Sequence, residues 1–189
     1  MNQFLRRKKQ QFAKDDRSLI QEIDGRIKSL CEIINKNDNY YTTSSCAGRI
    51  LILLDSKEKR DDLFLFVSHE LISFEQLKEE LNKINNKELI YFKQDPCILH
   101  VACRDLENAQ KIHDMAKDAG WKRCGIIASE KRFIVELNGT ERIEFPVMQD
   151  EKILANNDFL KVIVEEANKK LKLSWEKIER LKNSFLNIK

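Results

Sequence analysis

Residues Thr42-Thr43-Ser44-Ser45-Cys46-Ala47-Gly48-Arg49 bring hydroxyls, a thiol, a glycine and a guanidinium together, directly ahead of the apolar run Ile50-Leu51-Ile52-Leu53-Leu54. Small side chains beside a glycine let backbone and side-chain donors approach a ligand closely, and a guanidinium forks onto a carboxylate or phosphate. The block reads as a binding loop delivered by a rigid strand, with Arg49 as clamp and Ser44 and Ser45 as donors. A Ser/Thr-rich turn capping its own backbone has the same composition. Imidazoles are the second resource. His69 ends the apolar run Leu63 to Ser68, where function tends to concentrate. His100 lies in Ile98-Leu99-His100-Val101-Ala102-Cys103-Arg104. In a regular strand His100, Ala102 and Arg104 share one face, and Leu99, Val101 and Cys103 the other. Imidazole ordinarily titrates near neutrality, so His69 and His100 are the candidate proton acceptors. A structural histidine on a strand is the plainer alternative. Cys46 is either a nucleophile or a small apolar filler.

Elements that position these residues follow from periodicity and caps. Leu19, Ile23, Ile27, Leu30 and Ile34 recur at helical spacing, which predicts a helix from about Ser18 to Asn35. Ser73-Phe74-Glu75-Gln76 has capping-box form and opens a helix bearing Leu77, Leu81 and Ile84. Asp105 is the N-cap expected for a helix that Gly120 ends. Strands are predicted at Leu89 to Lys93, Ile98 to Cys103, Ile126 to Ala128, Phe133 to Leu137 and Arg142 to Val147, with Asn138-Gly139 as a hairpin turn between the last two. A closing helix begins near Asn157-Asp158 and continues through Ile178 and Leu181. The order suggests an α+β fold, a single compact domain over residues 1–189 with a mixed β-sheet and flanking helices. The first twelve residues read as a mobile basic arm.

With 189 residues, 42% hydrophobic and 34% charged, the chain is long enough for a core without metal or disulfide staples. Its five cysteines form an odd set without a C-x-x-C pair, so neither a disulfide framework nor a metal site is expected. Apolar runs are too short to span a bilayer and no signal-peptide core follows Met1, which predicts a cytoplasmic protein with no membrane partner. Residues 1–30 carry eight Lys/Arg against four Asp/Glu, and residues 161–189 repeat that count, so two basic ends flank an acidic middle. They suit a phosphate backbone or two solvated helix faces equally. No Walker A sequence and no G-x-G-x-x-G after a strand occurs, which excludes P-loop and ordinary Rossmann cofactor sites.

In order along the chain, Tyr40-Tyr41-Thr42-Thr43-Ser44-Ser45-Cys46-Ala47-Gly48-Arg49, Ser68-His69, Ile98-Leu99-His100-Val101-Ala102-Cys103, Ala119-Gly120-Trp121-Lys122-Arg123-Cys124-Gly125-Ile126 and Ala167-Asn168-Lys169-Lys170-Leu171 closely resemble the tRNA wybutosine-synthesis methyltransferase family, the third enzyme of that pathway. The resemblance covers nearly the whole chain. Two departures stand out: Ala47 where the family has Ser, and Trp121-Lys122-Arg123-Cys124-Gly125-Ile126 where it has a Phe-Arg-x-Ser-Gly-Ile pattern. The resemblance implies S-adenosylmethionine-dependent methylation of a 4-demethylwyosine-type guanosine derivative beside the anticodon of phenylalanine tRNA, on a fold unrelated to the Rossmann type. It also implies cofactor contacts at Ser44, Ser45, Gly48, Arg49, Cys103 and Gly125. Tyr40 and Tyr41 would stack on the base, and Arg123, Lys169 and Lys170 would hold the RNA.

Methyl transfer to a ring nitrogen demands mainly that the nitrogen be aligned about 3 Å from the methyl carbon. Alignment supplies roughly 7–11 kcal/mol, more than the factor of about 10²–10⁴ from one general base. Binding residues are therefore expected to outweigh any one acid or base. A non-catalytic RNA-binding module and a thiol-dependent enzyme using Cys46 are the competing readings.

Overall fold

The computed structural model describes residues 3–13, 24–55, 62–130 and 132–187. Among them the chain forms α1 (Gln3–Phe12), α2 (Gly25–Lys36), β1 (Tyr40–Cys46), β2 (Arg49–Leu54), β3 (Phe64–Ser68), α3 (Phe74–Lys83), β4 (Ile90–Asp95), β5 (Ile98–Cys103), α4 (Leu106–Asp118), β6 (Arg123–Ala128), β7 (Phe133–Asn138), β8 (Ile143–Gln149), β9 (Lys152–Ile153) and α5 (Asn157–Leu186). The chain divides into two compact units: Met1–Ala47, Cys97–Thr140 and Ser174–Lys189 form the first, and Gly48–Pro96 with Glu141–Leu173 the second.

In the first unit a four-stranded sheet runs in the order β1-β5-β7-β6. Leu99, Val101, Val135 and Leu137 project to one face, where they meet Ile27, Leu30 and Ile34 of α2 and Ile112 and Ala116 of α4 in a fully buried core. Local chemistry fixes the helix ends. Asp24 caps α2, its Oδ1 accepting from the Arg26 amide at 3.0 Å. Asp105 caps α4, accepting from the Asn108 amide at 2.9 Å. Gly120, at φ 93°, turns the chain out of α4, and the Trp121 amide donates back to the Ala116 carbonyl at 2.9 Å. Trp121 is fully buried, and its Nε1 donates to the Lys177 carbonyl on α5 at 3.2 Å.

In the second unit the order is β3-β2-β4-β8-β9. Ile50, Leu51, Ile52 and Leu54 are all buried, so β2 is covered on both faces. Ser73 caps α3, accepting from the Gln76 amide at 3.0 Å. Asn168 of α5 accepts from the Ile72 amide at 3.1 Å and donates to the Ile72 carbonyl at 2.8 Å, pinning the segment ahead of α3.

The α+β class holds, with no Rossmann-type arrangement. Four expectations are corrected. Instead of one mixed sheet there are two, and every pairing among the described residues is antiparallel. Asn138-Gly139 does not close a hairpin: β7 pairs with β5 and β6, β8 pairs with β4 and β9, and the Gly139 amide donates to the Cys97 carbonyl. The expected basic arm contains helix α1, with Phe4 buried against Tyr41 at 5.1 Å between ring centroids and Lys8 Nζ donating to the Asn37 carbonyl. The helix expected from Ser18 is α2, beginning at Gly25; residues 18–23 lie outside the described residues.

Candidate active site

The presumed binding loop is a strand. β1 runs antiparallel to β5, and a bulge between Thr42 and Ser44 shifts their register so that Ser44, not Thr43, stands opposite His100. His100 in turn pairs with Glu136 on β7, and Glu136 with Gly125 on β6. Directly opposed residues in an antiparallel sheet share a face. Ser44, His100, Glu136 and Gly125 therefore form one row across all four strands, on the face opposite the buried core. The flanking row on one side is Cys46, Ile98, Asn138 and Arg123. On the other side lie Tyr41, Ala102, Ile134 and Ala128, where Phe4 and Leu5 of α1 cover the first part.

Geometry within the central row is specific. His100 Nε2 lies 2.9 Å from Glu136 Oε2, both side chains partly exposed. A Cβ added at Gly125 would meet nothing within 4 Å, so the row ends in open space. Ser44 is exposed and Cys46 partly buried. Asp24 closes the end of β1: beyond capping α2, its Oδ2 accepts from the Ala47 amide at 3.1 Å. Glu136 and Asp24 escaped sequence reasoning. Glu136 carried a usable signal, since it alternates with the apolar Val135 and Leu137.

Other residues singled out by sequence fall elsewhere. Cys103 faces the buried core, and desolvation raises its thiol to about 12, so it is neither a thiolate nor a contact of the open row. Cys124 packs against the same core with its thiol raised by burial and donating to the Trp121 carbonyl. Tyr40 sits edge-on to Phe185 and donates to the Asn108 carbonyl; burial raises its phenol to about 12. Tyr41 is fully buried under Phe4. Neither tyrosine ring is an open stacking platform. Ser45, opposite Leu99, lies on the face of α2, beside the Cys31 thiol. Arg123 is exposed at the end of its row.

Gly48, Arg49, His69, Lys169 and Lys170 belong to the second unit. Gly48 has φ 103°, a conformation that favours glycine, just where the chain leaves β1 for β2. Arg49 stands opposite Asp95 on β4, its Nε 3.4 Å from Asp95 Oδ2, and Arg142 Nη2 lies 3.8 Å from the other carboxylate oxygen. This guanidinium also lies over the Phe64 ring at 5.6 Å. His69 is partly buried just beyond β3. Lys169 is exposed and pairs with Glu166 at 3.3 Å.

A family model described as Methyltransferase TYW3 matches residues 2–187. The chain belongs to this family. A relative from Pyrococcus horikoshii named tRNA(Phe) 7-((3-amino-3-carboxypropyl)-4-demethylwyosine(37)-N(4))-methyltransferase 2 is 35% identical over 171 residues, covering 89% of this chain and 82% of its own length. The corresponding methyltransferase of Methanocaldococcus jannaschii is 36% identical, with 88% of each chain covered. The human tRNA wybutosine-synthesizing protein 3 homolog is 31% identical over 96% of this chain and 71% of its own length. The solved structure of the PH1069 protein from Pyrococcus horikoshii superposes with a TM-score of 0.86 at 31% identity, covering 96% of this chain and 95% of that one. The chain is thus a tRNA methyltransferase, and a methyl donor has to be accommodated.

Proposed function

We propose that this chain methylates a ring nitrogen of a 4-demethylwyosine-type tricyclic guanosine beside the anticodon of phenylalanine tRNA, with S-adenosylmethionine as donor, in the cytoplasm. The names of its relatives and the chemistry of the open row support this reading. The observation that carries it is the 2.9 Å contact between His100 Nε2 and Glu136 Oε2, a proton acceptor with its orienting carboxylate among small side chains. S-adenosylmethionine supplies a methyl group carried on a cationic sulfonium. The residues present fit such a donor: Glu136 offers negative charge, Ser44 a hydroxyl, and Gly125 open space where a side chain would intrude.

His100 takes the proton that the ring nitrogen releases as it is alkylated, while Glu136 holds the imidazole in place and stabilises the imidazolium. Cys46 borders the row as a small, polarisable neighbour. Arg49, held through Nε by Asp95, presents its terminal nitrogens to a carboxylate or phosphate. Arg123 on the first unit, and Lys169 and Lys170 on the second, each offer positive charge suited to an RNA phosphate backbone. The test is incubation with methyl-labelled S-adenosylmethionine and phenylalanine tRNA whose tricyclic base lacks the ring methyl, followed by digestion to nucleosides. Label on the tricyclic nucleoside is expected; label on another nucleoside, or none, refutes the assignment.

A further inference from the structure

Beside the row Tyr41, Ala102, Ile134 and Ala128 lies a pocket of about 640 Å³, lined by Arg7 of α1 and by Ile127, Ser129, Glu130, Arg132 and Ile134 of the β6–β7 region. It brings together two guanidinium groups, one carboxylate, a hydroxyl and the apolar side chains of Ile127 and Ile134. Arg132 is held in place, with Nη1 donating to the Tyr41 hydroxyl at 2.9 Å and the guanidinium 5.8 Å from the Tyr41 ring. Tyr41 is itself fully buried, so the anchor is rigid. One donor of the fork is committed to that hydroxyl, and the others remain available for an anion.

We infer that this pocket binds an α-amino-carboxylate end, with Arg7 and Arg132 on the carboxylate, Glu130 on the ammonium, and Ile127 and Ile134 along the carbon stem. A bare phosphate would use the arginines but be repelled by Glu130, and a simple cation would be repelled by the arginines. A zwitterion on a short apolar stem uses the arginines, the carboxylate and the isoleucines together. The inference rests on the methyltransferase reading, because two molecules of that reaction carry such an end: the aminocarboxypropyl tail of the base named for the relatives, and the methionine part of S-adenosylmethionine. Placement suits both. Ile134 and Glu136 are two residues apart on one face of β7, about 7 Å along a strand, so the pocket opens one step from the central row.

The test measures equilibrium binding of three probes: S-adenosylmethionine alone, an anticodon stem-loop bearing the tailed tricycle, and the same stem-loop without the tail. The wild-type protein is compared with Arg132→Lys, which keeps charge but loses the fork, and with Glu130→Gln at an exposed position. If the tail is the occupant, wild type prefers tailed RNA by about tenfold or more, and both variants reduce that preference to within twofold while binding untailed RNA and S-adenosylmethionine normally. If the methionine end is the occupant, both variants weaken S-adenosylmethionine about tenfold and leave RNA binding unchanged. Either result supports the site. Equal weakening of both RNAs by Arg132→Lys, with no effect of Glu130→Gln, means a phosphate contact and overturns the inference. No change in any binding also overturns it. Binding is read without turnover, so failure of the methyltransferase reading appears separately, as wild-type protein that binds neither S-adenosylmethionine nor either RNA.

Discussion

His100 owes its significance to what stands beside it in register. Strand alternation placed it on the face opposite Leu99 and Val101, and that much was legible in the sequence. Its pairing with Glu136 was not: alternation with Val135 and Leu137 marks the face of Glu136, but a contact across 36 residues leaves no local pattern. The Thr42/Ser44 bulge was equally invisible, yet it decides which hydroxyl joins the row. Two predictions belong at this scale. Glu136→Gln should retain binding of S-adenosylmethionine while lowering single-turnover methyl transfer about tenfold or more, since the amide keeps a hydrogen bond but no charge to stabilise the imidazolium. A loss confined to donor binding would assign Glu136 to the ligand instead. At Gly125, Ala should leave the melting temperature unchanged or slightly higher, because a Cβ meets open space, whereas Leu should block turnover without unfolding the protein. Thiol labelling adds a third outcome. Burial raises Cys31 to about 11 and Cys103 to about 12, so both should resist iodoacetamide at pH 8 in the folded protein and react on unfolding.

The helix starts were the most readable elements. Ser73 and Asp105 are N-caps as their spacing predicts, and Gly120 stops α4. Caps are legible because their chemistry is confined to a few consecutive residues. Asp105 gives a pH prediction. The Asn108 amide holds its carboxyl below the usual carboxylate range, so its folded pKa is depressed. Such a group contributes stability above its unfolded pKa, near 4, and loses that contribution as pH falls through the lower folded value. Asp105→Asn should therefore flatten the decline in melting temperature below about pH 4 and change little at pH 7. An unchanged acid limb would contradict this. Asp24 combines two duties, so Asp24→Ala leaves the Arg26 and Ala47 amides without that partner and should cost about 2–4 kcal/mol in urea unfolding. Its second bond could not be foreseen, since Ala47 lies beyond a helix and a strand. Helix α1 reads as an arm in the sequence because its charged residues outnumber the apolar ones, while Phe4, Leu5 and Lys8 dock it.

Across the whole chain, the least legible feature is the division into two units. The chain passes between them at Ala47/Gly48, Pro96/Cys97, Thr140/Glu141 and Leu173/Ser174, none of which has linker composition. Asn138-Gly139 misled for the same reason: a turn signal reports local geometry and cannot tell which sheet the next strand joins. One consequence is testable. Ending the chain at Leu173 removes Ile178, Leu181 and Phe185 from the first unit's core, along with the carbonyl that accepts from Trp121. Each large apolar side chain contributes roughly 1.5–3 kcal/mol by burial, so the truncated protein should lose near-ultraviolet circular dichroism and bind hydrophobic dye. A native-like spectrum would show that α5 is dispensable to that core.

The central claim is that the open row of the first unit performs the proton transfer accompanying methylation. Its most direct measurement is the single-turnover rate of methyl transfer to tricycle-bearing phenylalanine tRNA by His100→Ala, with binding of S-adenosylmethionine and RNA recorded on the same sample. The account predicts intact binding and a rate lowered by about 10²–10⁴. A rate within threefold of wild type, with both ligands bound normally, would contradict it.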